Sequence, residues 1–190
     1  PPAAAVVLGQ PDASSFLANG GRATAAADRM SGPQGVTFAG SRLVVADSEN
    51  HRVLIWSQVP VTSGTPADVV LGQADFAAMR PNRGRGDGDG DGFGDPGADG
   101  LFYPSSVSAD GTRLFIADRL NHRVLYYRTF PSTSGRAADA VLGQTSFTAG
   151  RPNGGLGGYD PSPPGFNLPG GVTLVGDALY VADTENNRVV

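Results

Sequence analysis

The amino-acid sequence predicts an all-β chain assembled from repeats, on three observations. A stretch of two apolar runs around a polar turn, LVVADSENHRVLIW at Leu43 to Trp56, recurs as LFIADRLNHRVLYY at Leu114 to Tyr127 and as LYVADTENNRVV at Leu179 to Val190. Asp47, Asp118 and Asp183 are thus one position met three times, at separations of 71 and 65 residues, and such a period marks a supersecondary unit. Second, 28 Gly and 15 Pro in 190 residues argue against long helices and for frequent turns. Third, the β-rich runs are short and bounded by turn signals throughout, as in an all-β chain.

Each repeat reads as four strands. The first is Gly35 to Ala39, Ser106 to Asp110 and Gly171 to Val175, preceded by Pro33, Pro104 and Pro169. A tight turn follows at Gly40-Ser41, Asp110-Gly111 or Gly176-Asp177, which suits a hairpin. The second and third strands are the recurring stretch itself. A loop with its own repeat comes next, Pro60 to Gly64 against Pro131 to Gly135. The fourth strand is Val69–Gln73, Ala140–Gln144 and, at the start of the chain, Val6–Gln10. Long spacers separate each fourth strand from the next first strand: Gln10 to Pro33, with an Ala-rich segment Ala23 to Met30 read as a short helical turn, Gln73 to Pro104, and Gln144 to Pro169. Loops of such length without structure of their own are usually functional or disordered.

The VADxxNHRV hairpin, the fourth strand ending in Gly and the Pro-x-Gly-Val opening resemble NHL-repeat β-propellers over nearly the whole chain, with Asn187 replacing the histidine in the third copy. The resemblance implies radial, four-stranded antiparallel blades, six being the family's commonest number. The chain then reads as one propeller segment, 1–190, of about three blade-equivalents, with boundaries near 11–73, 74–144 and 145–190 plus a closing strand at 6–10. Radial closure is how propellers protect their strand edges. Antiparallel order places the spacers and the SENH, RLNH and TENN turns on one face, and the short hairpin turns on the other. Binding is expected on the spacer face, because loops on a rigid scaffold carry specificity. Asn50, Asn121 and Asn186 are expected to shape their turns by side-chain to backbone hydrogen bonds.

Three Asp–Arg pairs, Asp47/Arg52, Asp118/Arg123 and Asp183/Arg188, are each five residues apart across the hairpin turn. A carboxylate ending one strand and a guanidinium opening its partner can form a charge-assisted bond, and three equivalent copies point to a structural role. His51 and His122 are repeat-equivalent too and are read as packing or capping residues. The strongest chemical signal is Asp87, Asp89, Asp91 and Asp95, spaced by glycines as in calcium loops. Alternating carboxylates converge on a hard cation and Gly92 allows the turn, so calcium is the expected cofactor. The tract resembles the acidic loops of thrombospondin type-3 and dockerin repeats. The twelfth position is Ala98, where an EF-hand has glutamate, with Asp99 as the stand-in, and Arg80, Arg83 and Arg85 lie nearby. Tyr159, Phe166 and Phe93, in the spacers, are candidate ligand anchors, since exposed aromatics dominate binding energy.

All 14 basic residues are Arg, while 16 Asp and two Glu leave a net charge of −4, which lacks the basic footprint of nucleic-acid binding. No run approaches a membrane span, and the absence of Cys excludes disulfide and thiolate chemistry. The leading expectation is a non-enzymatic scaffold that binds a protein or small-molecule ligand through the spacer face. Two alternatives stand beside it. One, implied by resemblance, is a metal-dependent hydrolase or lyase, lactonase-like, with a site in the central channel; the innermost strands offer Thr37, Ser108 and Thr173 there. The other is a structural module of a large bacterial surface protein, in line with a secreted, periplasmic or cell-surface location. Because about three blades do not close a ring, further blades are expected from the same longer chain or from a second copy.

Overall fold

The structure, a computed structural model, describes residues 6–88, 90, 92–156, 160, 161 and 163–190. Among the described residues, eleven antiparallel strands form three sheets. The first contains β1 (Pro33–Ala39), β2 (Arg42–Asp47), β3 (Arg52–Trp56) and β4 (Val69–Leu71), in that order. The second repeats it with β5 (Pro104–Ala109), β6 (Leu114–Asp118), β7 (Arg123–Tyr127) and β8 (Ala140–Leu142). The third holds β9 (Pro169–Val175), β10 (Ala178–Asp183) and β11 (Arg188–Val189). Val6–Gln10 is not a strand: Val7 bonds to the Ser63-Gly64 loop, Gln10 Nε2 donates to Leu17 O, and no ladder partner lies beside the segment among the described residues.

The central strands read as unbroken apolar runs because both faces are buried. In β2, Val44 and Ala46 enter the core shared with the second sheet, while Leu43 and Val45 pack under Met30 and Leu8 on the other side. In β6, Leu114 and Ile116 face the first sheet, and Phe115 and Ala117 face the third. Period-two alternation thus feeds two cores from one strand. The outermost faces continue the pattern without a neighbour: Tyr180 and Val189 of the third sheet occupy the positions of Phe115 and Val124, and both are exposed. Val36 and Phe38 of β1 are likewise exposed, whereas Val107, the counterpart of Val36, is buried.

Neighbouring sheets are fastened at fixed points. The PxTSG loop that follows each third strand clips the preceding sheet's outer strand: Val70 N donates to Ser134 Oγ at 3.1 Å, and Gly135 N donates to Val70 O at 2.9 Å. Val7 meets Ser63 and Gly64 in the same way. The innermost strands join through Val172 N to Ser106 Oγ and Leu174 N to Ser108 Oγ. Each fourth-strand glycine is pressed by an apolar plug: a Cβ on Gly72 would lie 2.6 Å from Leu101, and one on Gly143 2.3 Å from Phe166. With φ of +87° at both, glycine is required twice over.

Candidate functional site

The face that carries the spacers is organised around three equivalent ion pairs, two of them fully buried. Arg52 Nε donates to Asp47 Oδ2, Arg123 Nε to Asp118 Oδ2 and Arg188 Nε to Asp183 Oδ2, each at 2.7 Å. Each Asp also accepts the amide hydrogen of a spacer residue: Ser31, Phe102 or Asn167, again at 2.7 Å. The other guanidinium nitrogens reach spacer carbonyls, Ala26, Arg29 and Phe76 from Arg52, and Gly97, Gly100 and Phe147 from Arg123. Burial pushes the Asp47 and Asp118 carboxyls up, while the Arg52 and Arg123 guanidiniums pull them back. All four side chains are fully buried, so each charge depends on its partner. Arg188 in the third sheet is 30% exposed.

The turn asparagines act differently from the sequence expectation. Asn50, Asn121 and Asn186 each donate to the Asp of their own hairpin, and their amides pair with spacer asparagines Asn19, Asn82 and Asn153. Those spacer asparagines are buried, left-handed (φ 52°, 51° and 55°), and sit in 3₁₀ stretches Ala18–Gly21, Pro81–Gly84 and Pro152–Gly155. Ala23 to Met30 holds a single hydrogen-bonded turn, Arg29 N donating to Ala26 O, while the 3₁₀ stretch lies earlier, at Ala18–Gly21. Each asparagine follows its fourth-strand glutamine by nine residues, a spacing visible in the sequence once the three LGQ segments are aligned. Gln73 Nε2 spans to the carbonyls of Asn50, His51 and Arg80. The first part of each spacer is therefore a repeat in its own right.

The second parts differ. In the longest, Asp87 Oδ1 and Oδ2 accept the amides of Gly90 and Gly92 at 2.8 Å, and Asp95 Oδ2 accepts that of Gly88 at 3.1 Å. Asp89 and Asp91 lie outside the described residues, as does Tyr159. Asp99 is paired with both Arg83 and Arg85. Among the described residues, no group of three or more His, Asp or Glu converges as a metal site would require. Phe93 is 50% exposed and leans on Phe102, ring centroids 4.9 Å apart. Phe166, by contrast, is a buried residue wedged between the second and third sheets. A cleft of about 430 Å³ opens between the second and third spacers, bordered by Asp95, Pro96, Thr148 and Arg151. On the innermost strands, Ser108 accepts an amide hydrogen from β9, which accounts for that side chain structurally.

Stacked four-stranded antiparallel sheets with equivalent fastenings are blades of a β-propeller, a repeat architecture. The family model for the NHL repeat matches residues 30–56 and 166–190, so two stretches of the chain are similar to NHL repeats. It is 37% identical over 91 residues to NHL repeat-containing protein 2 of Gallus gallus, and 34% identical over the same length to that of Homo sapiens. Those stretches cover 47% of this chain and only 11% of either relative. NHL repeats of this kind point to a propeller scaffold for protein interaction. No helix among the described residues is long and apolar enough to cross a membrane.

Proposed function

We propose that this chain is a non-enzymatic binding scaffold whose ligand contacts come from the spacer face. The observation that carries the reading is the division within each spacer. Nine-residue leaders are pinned alike by Gln and Asn, whereas the segments after them differ in length and sequence, and those of the second and third spacers border the cleft lined by Asp95, Pro96 and Arg151. Rigid anchors with variable tips are how scaffolds separate stability from specificity. Phe93 supplies an aromatic anchor at low entropic cost, and the mixed charges of Asp95 and Arg151 fit a protein surface better than a polyanion. The exposed faces around Tyr180 and Phe38 are read as packing surfaces for further blades, from the same longer chain or a second copy.

The test is a peptide-display selection on the intact chain, followed by mapping of the selected peptides by amide chemical shifts. Shifts should cluster at Phe93, Gly150 and Arg151, and Phe93→Ala should weaken binding by about 2 kcal/mol, as for an aromatic hot spot. Peptides that instead map to the Gly40, Gly111 and Gly176 turns would sink the reading.

A further inference from the structure

The two histidines reach out of their own blades. His51 and His122 end their hairpin turns in the left-handed region, φ 53° and 52°. Each ring accepts a hydrogen bond at Nδ1 from a backbone N–H of the following blade, Tyr103 N for His51 and Leu168 N for His122, both at 3.1 Å. Tyr103 and Leu168 are themselves left-handed, φ 55° and 49°, and directly precede the prolines that open β5 and β9. A left-handed non-glycine residue costs roughly 1–2 kcal/mol, so both are strained sites held partly from the neighbouring blade. An imidazole can accept at Nδ1 only while that nitrogen is unprotonated.

We propose that His51 and His122 are acid-released latches between consecutive blades: a proton on Nδ1 sets donor against donor at Tyr103 and Leu168, and the seam opens there. The surroundings agree. Burial lowers both rings to about 4, against an ordinary value near 6.5. Glu49 opposes that at His51, on whose ring Phe102 packs edge-on at 5.3 Å. The Tyr103 phenol faces away to an acceptor role with Gln34. At His122 the Asn167 side chain and Asp183, itself held by Arg188, oppose it. For a base whose latched pKa is depressed, the contribution of the latch is complete above about 6.5 and is lost as pH falls through about 4. Between those values the opening equilibrium should rise about tenfold per pH unit for each proton taken up. The third copy supplies the comparison: Asn187 stands at the same position, φ 51°, with an amide that does not titrate in this range. Each latch also closes a long spacer, so acid would loosen the spacer face. That consequence rests on the proposed binding face; the latch itself does not.

Amide hydrogen exchange measured by NMR from pH 7 to 4.5, corrected for the intrinsic rate, tests it. Tyr103 and Leu168 should exchange progressively faster as pH falls, relative to Val45 in the core. His51→Asn, copying Asn187, should abolish the acid response at Tyr103 and leave it at Leu168; His122→Asn should do the converse. If a variant does not fold, the ring signals of the unsubstituted chain decide. Titration well below 6.5 together with faster exchange at the two amides supports the latch. Rings that titrate near 6.5 without altering either amide, or an equal acid response in the variants, would overturn it.

Discussion

Residues 73–82 and residues 85–103 belong to one spacer and follow different rules. The leader is held by Gln73 and Asn82, and its geometry recurs at Gln144–Asn153. The remainder adds contacts of its own, Asp87 with glycine amides and Asp99 with two arginines, that have no counterpart among the described residues of the other spacers. The difference shows how a repeat protein varies a loop without disturbing its blade. What the buried Asp–Arg pair touches is fixed, Gly97, Gly100 and Phe102 included, and the tract between the spacer asparagine and those contacts is free to change.

The largest effect should come from breaking the fixed part at its centre. Asp118→Ala leaves the Arg123 guanidinium fully buried, with only carbonyls as partners and no counter-charge. A loss of about 3–5 kcal/mol is expected in urea unfolding, the cost of an uncompensated buried charge. Asp183→Ala should cost less, since Arg188 is 30% exposed and water can solvate it. Equal losses at both sites would mean that the blades do not share this hub.

A pair of glycine substitutions sets the two regions side by side. Gly72→Ala brings a Cβ to 2.6 Å from Leu101 and 2.9 Å from the His51 carbonyl at φ +87°. Strain and overpacking together predict a loss of about 2–4 kcal/mol. Gly90→Ala in the acidic tract meets nothing within 4 Å at φ +78°, so backbone strain alone applies, about 1 kcal/mol. Urea midpoints that fall equally would erase the distinction between anchored leader and free tip.

Much of the anchored region was legible in the sequence. The hairpin repeats name the strands, and the five-residue Asp–Arg spacing matches the observed register of Asp118 opposite Arg123. The spacer leaders were hidden because their signal is a lone Asn nine residues after a Gln, surrounded by unlike residues. The pairing partners Asn82 and Asn121 are 39 residues apart, beyond any local rule. Phe166 illustrates the opposite failure. Its spacer position suggested exposure, but the glycine at 143 admits its ring into the core. Whether an aromatic in a loop is anchor or plug depends on what lies beneath it, and that is a tertiary fact.

The smallest effect concerns calcium at the acidic tract, and it probes the free region alone. Asp87 and Asp95 already accept glycine amides, and Asp99 is committed to Arg83 and Arg85. A cation would therefore draw on carboxylates that are partly engaged, without the bidentate glutamate that tight loops use. Titration calorimetry should accordingly register weak binding, with Kd near ~10⁻³ M, the range of extracellular modules. At 1 mM calcium, ligand linkage then adds only about 0.4 kcal/mol to stability, since a concentration equal to Kd contributes RT ln 2. Asp89→Ala with Asp91→Ala should remove the heat and leave the urea midpoint in calcium-free buffer within about 0.5 kcal/mol of the parent, as for surface substitutions. A submicromolar Kd would show that the tract rearranges into a complete ligand set, and the boundary drawn at Asn82 would then enclose a second ordered element.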